Sequence, residues 1–161
     1  MLNVRDARWF ASELDTYAQF ESDEVRFDQV GVGMGILSPG KSNGMYHGED
    51  AQEDFLVLSG ECLLIVEGQE RRLKAWDFVH CPPWTEHIFV GAGDGPCVFV
   101  GVGARNAGDG IRYPVSELAL RHRAGATEEA TSGKVAYAGQ PETSPGPYPD
   151  GVLPDLSSSG G

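Results

Sequence analysis

The chain has 161 residues, enough to bury one sizeable core. Its 12 Lys and Arg stand against 24 Asp and Glu, a formal net charge of −12. That balance argues against nucleic acid and anionic membrane surfaces as partners, because the densest cationic group, Glu70-Arg71-Arg72-Leu73-Lys74, reads only as a hairpin edge. Residues 1–28 mix Trp9, Phe10, Tyr17, Phe20 and Phe27 with charged residues; Arg5 to Leu14 reads as a short helix and Tyr17 to Glu21 as a strand. From Val30 to Ile36, Val30, Val32, Met34 and Ile36 alternate with Gly31, Gly33 and Gly35. One face of that strand is apolar and the other is bare backbone, which suits close approach of another group. Short strands follow at Phe55–Leu58, Cys62–Val66, Arg71–Ala75, Phe78–Cys81, His87–Val90 and Cys97–Val102, with Gly- and Pro-rich turns between them. About seven strands at this spacing predict an all-β sandwich or barrel. After Gly103 the pattern shifts: Pro114 to Arg121 reads as a short helix with Ser116 as N-cap, and Thr127 to Ala138 adds a helical turn. Residues 139–161 carry five of the ten prolines and end in Ser157-Ser158-Ser159-Gly160-Gly161, predicting an extended, mostly disordered tail.

The organisation expected is an N-terminal arm (1–28), a barrel core (29–104), an extension with a short helix (105–138) and the tail (139–161). The start of the chain lacks an apolar stretch behind a basic segment, and no apolar run is long enough to span a bilayer. A soluble, cytoplasmic protein is expected. Cys62, Cys81 and Cys97 each sit in a strand-like run without a Cys-x-x-Cys spacing, so they read as buried reduced thiols.

Two of the four histidines have suggestive surroundings. In His47-Gly48-Glu49, an extended backbone sends both polar side chains to one face. Glu53 follows just ahead of the strand at Phe55, and Pro82-Pro83 delivers His87 to the start of another strand. Imidazole and carboxylate converging in this way suit a divalent metal, although a solvated acidic loop has the same appearance. Gln52 lies beside Glu53 as a candidate pocket residue, and Tyr46 should face away from His47. His80 and Cys81 fall on opposite faces, Trp76 and Phe78 share parity on a strand of which one face reads as core, and His122 reads as a solvated helix end. The glycines at 31, 33, 35, 101 and 103 leave either an internal cavity or room for tight sheet packing.

Residues 40–91 resemble the two motifs of the cupin superfamily. Glu53 and Gly60 keep the seven-residue spacing of the first motif, His47 matches its first histidine, Glu49 stands in place of the second, and Gly40 lies one residue further upstream than the pattern asks. Trp76, Pro82, Trp84, His87 and Gly91 fall at the second motif's spacings, with Pro82 and His87 keeping the family identity. The segment 61–75 between them has the length found in small cupins.

The resemblance implies a cupin-type double-stranded β-helix, or jelly-roll barrel, with short helical or extended segments at its ends. It implies one divalent transition-metal ion (zinc, iron, manganese or nickel) held by His47, Glu49, Glu53 and His87, with Trp84 and Gln52 lining the pocket. The function implied is action on a small polar molecule, either as a dioxygenase-like oxygenase or as an isomerase or lyase with Glu49 as proton-transfer base. A non-catalytic binding or sensor cupin with a structural metal is the alternative. Cupin barrels commonly pair, so a homodimer is implied, with the aromatic N-terminal arm as the natural contact.

Overall fold

The computed structural model describes residues 1–12, 15–105, 108 and 110–153. Among these, a 3-10 turn at Val4–Asp6 leads into β1 (Arg8–Ala11), β2 (Thr16–Gln19), β3 (Val30–Leu37), β4 (Gly48–Glu49) and β5 (Glu53–Ser59). The chain continues through β6 (Glu61–Val66), β7 (Gln69–Lys74), β8 (Phe78–Cys81), β9 (His87–Ala92), β10 (Cys97–Ala104) and β11 (Ile111–Arg112). Helices α1 (Glu117–Arg121) and α2 (Gly133–Ala136) follow, then β12 (Ser144–Pro145). The strands form a broad sheet in the order β12-β1-β2-β3-β10-β5-β8, a narrow sheet β7-β6-β9, and the short pair β11-β4. Every pairing is antiparallel, giving the all-β jelly-roll architecture expected.

The two sheets close on one apolar core. Leu37, Phe55, Val57 and Phe99 from the broad sheet meet Leu64 and Phe89 from the narrow one. Phe89 and Phe99 stack with ring centroids 5.5 Å apart, and Phe55 tilts against Phe89 at 4.6 Å, so aromatic packing adds to area burial at the centre. Cys62, Cys81 and Cys97 are buried and unpaired, as their apolar settings suggested. The hairpin from β6 to β7 turns on Glu67 and Gly68, whose φ values are 47° and 71°. Two consecutive left-handed residues fit the twist of the flanking strands, which makes this a tight two-residue connection. At Gly60, a Cβ would lie 2.3 Å from the Pro96 carbonyl oxygen, so only glycine lets the β5–β6 corner approach that loop.

The N-terminal helix is not formed. After the 3-10 turn the backbone extends, because Trp9 and Phe10 are needed on opposite faces of β1. Trp9 is buried against Ala18, Ile36 and Val98, while Phe10 stacks on Tyr17 with centroids 5.2 Å apart. Leu14, the far end of that predicted helix, lies outside the described residues. The C-terminal stretch differs from a free tail as far as it is described. β12 pairs with β1, and Tyr148, Val152 and Leu153 pack on the cluster around Trp9. Burying that apolar set offsets the ordering entropy that the composition alone would leave uncompensated. Residues 154–161 lie outside the described residues.

Helix α1 begins at Glu117, with Ser116 as its N-cap as the sequence suggested. The Ser116 hydroxyl accepts the Ala119 amide at 3.2 Å, and Ala119 is fully buried beside Ala124, Ile65 and Ile88. Ser116→Ala should lower unfolding free energy by about 1 kcal/mol in urea denaturation, the usual loss for a removed N-cap. Trp76 and Phe78 are on the surface, 73% and 64% exposed. Phe78 pairs with Leu56 in the edge strand β8, so its parity sends it outward, whereas Cys81 faces in.

Candidate metal centre

His47 and His87 are brought side by side by a backbone bridge. The His47 amide donates to the His87 carbonyl at 3.2 Å and the His87 amide donates back at 2.8 Å. Their ring centroids are 5.1 Å apart. Glu53 comes from the facing sheet, at the first position of β5, where Gly103 and Cys81 flank it. Its Oε2 lies 3.3 Å from His87 Nε2 and 3.8 Å from His47 Nε2. One ligand atom from each of the three residues falls within 4.8 Å of the others.

The imidazole tautomers follow from their partners. His47 Nδ1 lies 2.8 Å from the Met45 carbonyl and His87 Nδ1 lies 3.0 Å from the Thr85 carbonyl. A carbonyl only accepts, so each Nδ1 carries the proton and each Nε2 presents its lone pair toward Glu53. Backbone carbonyls that orient ligating histidines in this way are a usual feature of metal sites. Burial lowers the pKa of both imidazoles; for His47 the neighbouring His87 adds to the effect. Glu53 moves the other way, raised to about 7 by burial and then by the charge of Glu49. Neutral imidazoles and a carboxylate held out of water form a donor set matched to a divalent cation, which would favour the ionised carboxylate. Two histidines and one carboxylate also leave coordination positions open.

Two aromatic rings stand against the imidazoles. Phe55 stands 5.4 Å from His87, and Tyr113 stands 5.8 Å from His47. Phe55 was legible as two residues after Glu53 on the same strand face; Tyr113 carries no sequence signal, since it arrives from the chain after β11. Glu49 does not join the three converging atoms. It sits in β4, half-buried, close enough for its charge to act on Glu53 and both imidazoles. Gln52 turns to the surface instead, where its amide donates to Asp54 Oδ2 at 2.6 Å. Trp84 lies over Gly110 with the Arg112 guanidinium 5.6 Å from its ring, bordering an open hollow shared with Ile111 and Thr131. Tyr46 faces away from His47 into the layer under α1, as parity required, with its hydroxyl donating to Glu86. His80 points out to Asp54, and His122 pairs with Glu70 at 2.8 Å.

The family model described as a cupin domain matches residues 33–103. Among solved structures, the chain resembles a protein described as a sugar phosphate isomerase of the cupin superfamily from Silicibacter pomeroyi. The two share 18% identity over 88% of this chain and 96% of that one, with a TM-score of 0.61. A polyketide cyclase from Streptomyces resistomycificus matches at 17% identity over 65% of this chain and 78% of its own, with a TM-score of 0.57. A predicted oxalate decarboxylase from Thermotoga maritima matches at 20% identity over 65% of this chain and 97% of its own, with a TM-score of 0.57. At these identities the likeness is one of fold. Among curated proteins, none matches the chain in sequence.

Proposed function

Because residues 33–103 match the cupin-domain family model, we propose that the chain holds one divalent transition-metal ion and acts on a small polar molecule as an isomerase or lyase. The observation that carries this reading is the convergence of His47, Glu53 and His87 between the two sheets, with both Nε2 lone pairs free. Bound there, the ion would supply Lewis acidity toward a carbonyl or enediol oxygen. The chain's own residues supply the rest. The Met45 and Thr85 carbonyls hold the imidazoles in register, and Phe55 and Tyr113 exclude water from the donor atoms. Glu49, next to the three ligands but apart from them, is the proton-transfer base. Structures of similar fold described as an isomerase, a cyclase and a decarboxylase support this class of chemistry.

Glu49→Gln tests the role of the carboxylate. The variant should keep its metal by elemental analysis, while metal-dependent turnover, followed as solvent deuterium entering the substrate, falls by about a hundredfold or more. Loss of metal in that variant would make Glu49 a fourth ligand instead. Oxygen consumption in place of deuterium exchange would assign the oxygenase branch. A thermal shift with ligands but no turnover in any metal form would leave a binding or sensor protein with a structural ion. A homodimer belongs to the same reading, supported by the open edge of β8, with Phe78 exposed on it and Trp76 exposed in the turn before it. The buried unpaired thiols suit a reducing compartment such as the cytoplasm.

A further inference from the structure

The apolar core between the sheets draws on β5, β10 and the Leu37 end of β3, and takes no residue from β2 or from residues 30–35 of β3. Parity fixes which residues lie on that face. Phe55 is inside, so its partner Gly101 is inside, and so is Gly33, the next partner across β3. The same rows place Gly31, Gly35, Gly103, Tyr17 and Gln19 inward. The result is a cavity of about 470 Å³, floored by Gly31, Gly33 and Gly101 and walled by Asp15, Tyr17 and Asn43. Its volume falls in the range of small-molecule sites.

The floor is flat because it has no side chains. Phe99 covers only the Gly35 end, where a Cβ would lie 2.4 Å from its ring. The lining ends at Gly101, and Phe55 and Glu53 lie beyond that end. A Cβ at Gly101 would lie 3.2 Å from the Phe55 ring, and one at Gly103 would lie 3.9 Å from the Glu53 side chain. The polar groups are at the far wall. Asp15 is partly buried, held by the Ser12 hydroxyl at 3.2 Å, and burial raises its pKa. Burial also raises Tyr17, with the Asp15 charge adding to it. Asn43 uses its side-chain oxygen on the Phe89 amide, which leaves its NH2 group for the cavity.

Charge decides what such a chamber admits. The lining carboxylates are Asp15 and Glu21, with Glu49 and Glu53 beyond them at the ligand end. Among the described residues the cavity's cation is Arg105, and its guanidinium is engaged by both Glu21 carboxylate oxygens and by the Phe27 carbonyl. A phosphate would meet carboxylates without a free cation to pair with. We propose that the chamber takes a flat, uncharged, hydroxylated ring compound, a phenol or enol lying on the glycine floor, and rejects phosphorylated substrates. Its chelating oxygens face His47, Glu53 and His87, and its far hydroxyl meets Asp15 and Tyr17. The orientation rests on the metal reading above, whereas the floor contacts do not.

Calorimetric titration of the full chain, metal-loaded and metal-stripped, tests this with 2,3-dihydroxynaphthalene and glucose 6-phosphate as probes. The diol should bind both forms, about tenfold more weakly once metal is removed, and the sugar phosphate should bind neither. Gly33→Val puts a branched side chain into the floor and should weaken the diol by about tenfold or more in both forms with metal content unchanged. Tyr17→Phe keeps the stack on Phe10 and should weaken it by several-fold through loss of one hydrogen bond, a second reading should Gly33→Val fail to fold. Diol affinity equal in both forms would remove the metal from recognition while leaving the chamber standing. No diol binding to either form, unchanged affinity in both variants, or tighter binding of glucose 6-phosphate would overturn the proposal.

Discussion

His87→Ala protein, purified without chelators, should carry less than about a tenth of the metal found in the parent. Loss of an outer group that merely orients a ligand costs about 10- to 100-fold in metal affinity, and loss of a ligand costs at least that much. His87 is the ligand with the least freedom to be replaced. It is 2% exposed, locked by reciprocal backbone bonds to His47, and its Nε2 is the nitrogen nearer to Glu53. His47→Ala should behave alike, and metal-dependent turnover should vanish with the ion in both. Gln52→Ala is the control, because that side chain is turned to Asp54 on the surface; its metal content should equal the parent's. Parent-level metal in both histidine variants would place the ion elsewhere and overturn the site.

How much of this was legible in the sequence depends on how local the signal was. The strands from Val30 to Ala104 were marked by alternation and by Gly-Pro turns, and the structure follows them closely. His47, Glu53 and His87 were legible through motif spacing. Two motif positions that ask for glycine instead carry tryptophan. Trp76 and Trp84 take φ values of 75° and 67°, so the backbone keeps the left-handed turn and accepts the strain of a Cβ there. The Trp84 ring lies against Gly110. β1 was missed because its aromatic and charged residues carry no clean period, and its extension is imposed by pairing with β2 and β12. The docking of Tyr148, Val152 and Leu153 was equally non-local, since it depends on an apolar face built around Trp9 more than a hundred residues earlier. The glycine chamber lies between these cases. Alternating glycines announced a bare face, but only the mismatch in width between the sheets decides that part of it stays open.

Metal-free Glu53→Gln protein should be more stable than the metal-free parent at pH 8, by up to about 3 kcal/mol, and no more stable at pH 4.5. The carboxyl's pKa rises from its ordinary 4.5 to about 7 in the folded chain, because burial and then the Glu49 charge disfavour its ionised form. A raised folded pKa gives stability that is fully present below 4.5 and is lost as pH rises through about 7, an effect on the order of 3 kcal/mol at one pKa unit per 1.36 kcal/mol. Glutamine keeps the shape and removes the charge, so it is spared that loss. His47 and His87 work with the opposite sign. Their lowered pKa values give stability that is present above 6.5 and is lost as pH falls through the folded values, in parent and variant alike. Urea denaturation in the presence of a chelator, across pH 4.5 to 8, separates the two, since only the alkaline limb should change with the substitution. Added metal should reverse the order at pH 8, because the ion pairs the buried carboxylate in the parent and finds one ligand fewer in the variant. A variant less stable than the parent at pH 8 without metal would mean that Glu53 is already compensated by the protein, and the donor set would lose its main physical reason to take up a cation.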